Sequence, residues 1–423
     1  MSRLFGVRRS LLVAMVVSSM VVSLGKNVLA TSLQVAWGFS QLGPELEAAF
    51  QRFADANGIE LNVVPRTGSW ANHYERLLLA HLGGVPFDVM FIDQQYVPTA
   101  VQQVFEDLTP YIDRDRFSLG QFIPQAVTAF QWKNAQYALP AVVNNNAIWY
   151  NVDLFSAAGL ATIPTDPFTV GDSWSWDDFV NAARRLTKDH DGDGRFDELG
   201  LWTLPPWLHA PWLWDGDWVN EEGRPDVTAT PVVTGITKFA ELGLVHQVVR
   251  APTVAHSVSG GFASGRVGMI IYGMTQAMQL QTIEWTYSVG LLPKGTSRDT
   301  VFYSDGFAMA RESKNKSDGW TLIKAFTTAQ EYALPVSSAA ACLPAYIPLH
   351  RFYLAQQAQQ YPSVKWHDFA NAQFTGRLPV LRFSPNFSQI DTLMSQAYSA
   401  VTSGEKPAIT ALSEVQPLIE RLY

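Results

Sequence analysis

The reading of the fold turns on three segments near the start of the chain: Leu33-Gln34-Val35-Ala36-Trp37, Ile59-Glu60-Leu61-Asn62-Val63 and Phe87-Asp88-Val89-Met90-Phe91-Ile92. The first is a short strand, the second alternates as a half-buried strand does, and the third is mostly apolar and ends at Asp93. Between the first two, Pro44 opens a helix whose Leu46, Ala49, Phe50 and Phe53 fall on one face, and Asn57-Gly58 ends it. A helix around Tyr74 to Leu82 follows, stopped by Gly83-Gly84. This β-α-β-α-β rhythm predicts a parallel sheet covered by helices. Such sheets bind ligands at the carboxyl ends of their strands, where Trp37 and Asp93 fall.

Beyond this unit, Leu139-Pro140-Ala141-Val142-Val143 reads as extended, and Asn144-Asn145-Asn146 precedes Ile148-Trp149-Tyr150-Asn151. Ser175-Trp176-Asp177-Asp178-Phe179 opens a helix with an N-cap and an acidic first turn. A Trp-rich loop spans Trp202 to Trp218. The 423 residues suit roughly two to three domains. With 14 Trp, 14 Tyr and 24 Phe, the chain holds more flat side chains than a core asks for, which points to a surface that binds by stacking.

The first thirty residues carry Arg3, Arg8, Arg9 and Lys26 and no acid, and their apolar run from Leu11 to Leu24 is 14 residues long. That is short for a span of about 20. With Val28-Leu29-Ala30 after it, the pattern is a secretory signal cleaved after Ala30, and no Cys follows to make a lipoprotein. Losing those four positive charges takes the net charge from −8 to −12. No basic cluster of the kind that neutralises phosphates is present, so nucleic acid is set aside. The single cysteine, Cys342, excludes an internal disulfide and any Cys-rich metal site.

Several ordered segments resemble the family 1 extracellular solute-binding proteins of ABC transporters, the group like maltose-binding protein. They are Gly83-Gly84-Val85-Pro86-Phe87-Asp88-Val89, Asp107-Leu108-Thr109-Pro110, Tyr137-Ala138-Leu139-Pro140 and Trp149-Tyr150-Asn151-Val152-Asp153-Leu154-Phe155. Later matches are Ala158-Gly159-Leu160, Trp174 to Phe179, Phe262-Ala263-Ser264-Gly265-Arg266-Val267-Gly268-Met269, Ser313-Lys314-Asn315-Lys316 and Leu343-Pro344-Ala345. Tyr303-Ser304-Asp305-Gly306 departs from the resemblance, where relatives often carry paired glycines. The resemblance implies a periplasmic-binding-protein-like α/β fold, with two lobes around a ligand cleft joined by hinge crossings. One lobe would take residues 31–143 and 303–355, the other 144–302 and 356–423. It also implies a periplasmic, monomeric protein that captures a sugar, oligosaccharide or polyol and delivers it to a membrane permease, with no organic cofactor.

A sugar offers flat C–H faces to aromatic rings and a rim of hydroxyls to carboxylates and amides. The ligand-binding candidates are Trp37, Trp70 and Asp93 on the first lobe and Trp212, Trp214, Asp215 and Tyr272 on the second, with Asn145, Tyr303 and Asp305 near the crossings. The alternative for each Trp is core packing, and for Asp93 and Asp305 a helix N-cap. Asp189, Asp191, Asp193, Arg195 and Asp197 follow the spacing of a calcium loop, Arg195 through its carbonyl, although Gly200 stands where an EF-hand has its bidentate Glu. The loop reads either as a structural Ca2+ site or as an acidic surface turn. No HExxH, GxSxG or phosphate-binding glycine motif occurs, so no catalytic residue is assigned; a secreted glycoside-active enzyme is the alternative from another class.

Overall fold

The computed structural model describes residues 32–100, 103–276, 280, 283–362, 364, 366, 367, 370 and 384–423. The expected leader, residues 1–30, lies outside them. Twelve strands occur among the described residues: β1 (Ser32–Ala36), β2 (Glu60–Val64), β3 (Val89–Asp93), β4 (Gln131–Trp132), β5 (Ala135–Gln136), β6 (Ala138–Asn145), β7 (Ala147–Asn151), β8 (Leu199–Leu201), β9 (Val267–Tyr272), β10 (Tyr287–Gly290), β11 (Phe302–Met309) and β12 (Leu343–Pro344).

Six of them form one sheet in the order β12-β6-β11-β3-β1-β2, and four form a second in the order β10-β7-β9-β8. As the opening pattern requires, β1 runs parallel to both β2 and β3. Every residue of β3 is buried, which matches its apolar run and its place inside the sheet. The strand β11 enters antiparallel between β3 and β6. In the second sheet β7 is antiparallel to both neighbours, and β8 is parallel to β9.

The helices form where caps and apolar spacing dictate. Pro44–Asn57 begins with Pro at its first turn, has Glu45 and Glu47 there, and ends at Gly58 in the left-handed region at φ 63°. Its buried face of Leu46, Ala49, Phe50 and Phe53 lies on the six-stranded sheet's core, with Phe50 stacked on Phe326 at 4.4 Å. The second helix spans Trp70–Leu82 and starts four residues before the expected Tyr74. Ser69 accounts for the difference: it and Asn72 form a capping box that fixes the start at Trp70. Trp176–Leu186 forms as its sequence predicts, with a Ser175–Asp178 capping box. Gly200 lets that helix approach the second sheet, because a Cβ there would sit 2.1 Å from the Ala183 carbonyl oxygen.

The chain moves from the first sheet to the second between Asn145 and Ala147, and returns between Gly290 and Phe302. After β12 it leaves through the helix His350–Gln360 and reaches the helices Phe387–Thr402 and Ala408–Leu422, which pack against the helix Thr230–Leu244. Among the described residues no helix is long and apolar enough to cross a membrane.

Candidate functional site

The carboxyl ends of β1, β2 and β3 open onto a cleft of about 630 Å³ that faces the end of β9 on the other sheet. The six-stranded side contributes Phe39, Arg66, Trp70, Asp93, Gln95, Tyr303, Asp305 and Asn144. The four-stranded side contributes Ile271, Tyr272, Gly273 and Thr275, with Pro206 beyond β8. This is the position that open α/β sheets use for ligands.

Two aromatic surfaces stand on opposite walls. Trp70 is the first residue of its helix, and Phe39 meets it edge-on with ring centroids 6.0 Å apart. The Arg66 guanidinium lies 5.0 Å over the indole. Gly38 fits beneath, since a Cβ there would come within 2.6 Å of the Trp70 ring. Tyr272, at the end of β9, is 42% exposed in the cleft.

The polar groups come from the strands. Asp93 accepts a hydrogen bond from the Gln95 amide at 2.8 Å and so caps the short turn Gln94–Tyr96, while it also lines the cleft. The expected alternative of a cap thus holds for a residue that also faces the cleft. Asp305 lies inside β11, opposite Asp93, at a bulge between Asp305 and Gly306. Bulges re-aim side chains, and Asp305 lines the cleft two residues after Tyr303. Arg66 donates to the Gly38 carbonyl at 2.6 Å and to that of Gly68. Burial pulls its pKa down, and the charge of Asp305 pulls it back up. Burial, with Asp305 adding to it, pushes the Cys342 thiol well above its ordinary range, so this cleft residue stays protonated.

The two walls meet at Asn144 and Gly273. The Asn144 side-chain oxygen accepts from the Met274 amide at 2.8 Å, and a Cβ on Gly273 would lie 2.2 Å from the Asn144 amide nitrogen. Only glycine permits that approach. Asn146 follows, its side chain 2.7 Å from the His209 ring.

The structure thus brings together Trp70, Asp93, Tyr272, Tyr303 and Asp305. It does not bring the other candidates to the cleft. Trp37 is fully buried, packs 4.5 Å from Phe91 and donates to the Gln41 carbonyl, so it is a core residue. Trp212 is also fully buried, and Trp214 packs edge-on against Trp176 at 5.2 Å. Their loop is clamped: the Leu213 carbonyl oxygen comes within 2.2 Å of a Cβ placed on Gly295, and Pro231 presses on Gly216. Asp215 takes the left-handed conformation that ends this turn. Asn145 is fully buried, paired with Phe302 in the sheet, while its neighbours Asn144 and Asn146 line the cleft. The one-residue difference follows from the alternation of a strand. Phe39, Arg66, Gln95, Asn144 and Asn146 went unread; the run Asn144 to Asn146 carried a signal, and the others carried none.

Apart from the cleft, a cavity of about 310 Å³ lies beside the crossing, walled by Ala147, Val289, Leu291 and Leu292 with Lys294 and Arg298 at its rim. Arg298 staples that region by donating to the carbonyls of Leu292 and Ser173, among others. In the acidic loop, carboxylate oxygens of Asp189, Asp191 and Asp197 lie within 4.8 Å of one another. Asp193 stands outside this group and accepts from the Arg195 amide at 2.7 Å, while the Arg195 side chain donates to the His256 carbonyl.

The two larger sheets thus enclose a ligand-sized cleft at their strand ends, the architecture of a two-lobed α/β protein with a site between its lobes. Residues 37–333 match the bacterial extracellular solute-binding protein family, and the chain belongs to it. A binding protein of Brucella abortus (strain 2308) is 24% identical over 398 residues, covering 88% of each chain. Among solved structures, the ABC substrate-binding protein of Listeria monocytogenes in complex with cycloalternan superposes with a TM-score of 0.79 at 20% identity, covering 93% of this chain and 98% of that one. Maltose-bound MalE3 of T. maritima gives 0.73 at 17% identity, covering 93% of this chain and all of that one. These likenesses establish the periplasmic-binding-protein-like fold that the sequence implied.

Proposed function

We propose that this chain captures one carbohydrate or polyol in the cleft between its two sheets and delivers it, unchanged, to the permease of an ABC transporter. The observation that carries this reading is the pairing of Trp70 and Tyr272 on opposite walls with Asp93, Asp305 and Asn144 between them. Rings suit the C–H faces of a sugar, and carboxylate and amide oxygens accept from its hydroxyls. The sugars bound by the structural neighbours support the same class. Ligand that bridges both walls binds the closed arrangement better than the open one, and the shifted population is what a permease reads. In this reading the first thirty residues are a cleaved leader, the mature protein is periplasmic and monomeric, and it turns over no substrate. The loop with Asp189, Asp191 and Asp197 holds a structural Ca2+, with ligands beyond these three completing its shell.

A thermal-shift screen of sugars and polyols on the mature chain tests this, since a ligand of the folded state raises its melting temperature by mass action. The binding compound is then incubated with equimolar protein and recovered by chromatography. Unchanged recovery is expected. A hydrolysis product would place the chain with glycoside-active enzymes, and a screen without any shift would remove the carbohydrate reading.

A further inference from the structure

The cavity of about 310 Å³ beside the crossing takes no part in the reading above. It exists because the loop of residues 163–175 is pinned at two points. At one end a Cβ on Gly290 would lie 2.3 Å from the Ile163 side chain, and the Leu291 amide donates to the Pro164 carbonyl at 2.8 Å. At the other end the Lys294 amide donates to the Trp174 carbonyl at 3.0 Å. Between these attachments lies the cavity, lined by Phe168 and Val170 from the loop and by Ala147, Val289, Leu291 and Leu292 from β7, β10 and the residues after it. Phe168 is nevertheless 69% exposed. Asp166 fixes its turn by accepting from the Phe168 amide at 2.9 Å and the Thr169 hydroxyl at 2.7 Å. The cations at the rim are engaged by the protein: Lys294 pairs with Asp172, and Arg298 donates to the Leu292 and Ser173 carbonyls. What the cavity offers a ligand is therefore apolar wall, with an aromatic ring at its mouth. Its volume falls at the lower end of the range of about 300–1,000 Å³ in which small-molecule sites are found.

Asn146 belongs to both the cavity and the cleft. Its side chain lies 2.7 Å from the His209 ring. Its carbonyl accepts from the Thr300 hydroxyl at 3.3 Å, which ties the outgoing crossing to the returning one. We infer that this cavity is a second ligand site, for an uncharged apolar molecule of one or two rings, and that its occupancy acts through the hinge on affinity in the cleft. Such a molecule gains by leaving water for the apolar wall. Its occupant lies against Asn146 and Thr300, the residues that join the two crossings, and so favours the hinge arrangement it fits. Linkage makes the effect reciprocal between the two sites. The site itself stands apart from the carbohydrate reading, and the coupling rests on it.

Indole is the probe. Methyl NMR of the mature chain labelled at Leu and Val is expected to show saturable shifts at Val170, Val289, Leu291 and Leu292. Val170→Trp places a ring in the cavity and should weaken indole binding by about ten-fold or more. Phe168→Ala removes an exposed side chain, so the fold survives, and should weaken it by about three- to ten-fold. Calorimetric titration with the best-bound sugar or polyol of the screen is then run with and without saturating indole. The two Kd values should differ by about five-fold or more, and the sugar should change the indole Kd by the same factor. Shifts that do not saturate, or that scatter over both sheets, overturn the inference, as does an indole affinity unchanged in both variants. Localised binding with an unchanged sugar Kd overturns the coupling and leaves the carbohydrate reading intact. If no compound of the screen binds, the carbohydrate reading and the coupling fall together, while the NMR series still decides the site.

Discussion

Asp93 and Asp305 face each other as register partners across β3 and β11. One belongs to the first parallel unit of the chain and the other to a strand that returns from the second sheet, so the acid pair exists only once both have joined one sheet. Tyr303, two residues before Asp305, shares its cleft-facing side, whereas Ser304 between them is buried and donates to the Val142 carbonyl at 3.0 Å.

Trp37 and Trp212 belong to the core, so each Trp→Ala change there should cost about 3–5 kcal/mol of folding free energy. Urea melts measure the loss. Ligand affinity of whatever folded protein remains should be unchanged in a titration at low temperature, and a selective loss of affinity would return the residue to the site.

Gly273→Ala should destabilise the protein by about 1–3 kcal/mol, the usual cost of overpacking. The new methyl meets the Asn144 amide at 2.2 Å, so shortening that side chain in Asn144→Ala should relieve most of the cost. Denaturant melts of the two single variants and the double variant give the coupling; strict additivity would show that the two residues do not constrain each other.

His73 makes stability depend on pH. Burial is the main reason its pKa falls from an ordinary 6.5 to about 4, with Arg76 and Arg66 lowering it further against a raising hydrogen bond to the Phe91 carbonyl. The unfolded chain then takes up a proton near pH 6.5 that the folded chain refuses until about 4. Stability contributed by the neutral ring is complete above 6.5 and declines as pH falls from 6.5 to 4, by on the order of 3 kcal/mol. His73→Gln, which keeps a donor for Phe91, should flatten this part of the curve in melts at pH 7.5, 5.5 and 4.5. Parallel curves for the two proteins would contradict the assignment.

Calcium should raise the melting temperature of the wild type, by the equivalent of about 2.7 kcal/mol at a hundred times its Kd. Asp189→Ala should abolish the increment, because the Asp189, Asp191 and Asp197 carboxylates share one small volume. Equal melting of the EDTA-treated and calcium-loaded proteins would leave the loop as an acidic turn.

The architecture was legible because local rules and tertiary packing agree in the first unit: Pro44, Gly58 and the alternating strands all point to the same layers. The start at Trp70 was missed because the capping box at Ser69 and Asn72 outweighs the apolar spacing that begins at Tyr74. The aromatic candidates divided along burial, which the sequence does not carry. Trp212 and Trp214 look exposed in a polar loop, but Gly216 and Gly295 let that loop press into the second core. Arg66 could not be found from the sequence, since its surroundings combine the nearby Trp70 with Gly38 and Asp305, residues from three separate chain segments.

The central claim is that one ligand is gripped by both sheets at once. Calorimetric titration of the wild type, Trp70→Ala and Tyr272→Ala with the best-bound sugar or polyol tests it most directly. The account predicts one site per chain and a loss of affinity of about 1–3 kcal/mol for each variant, roughly 5- to 150-fold in Kd. Affinity retained in either variant would show that its wall does not hold the ligand, and would contradict capture between the two sheets.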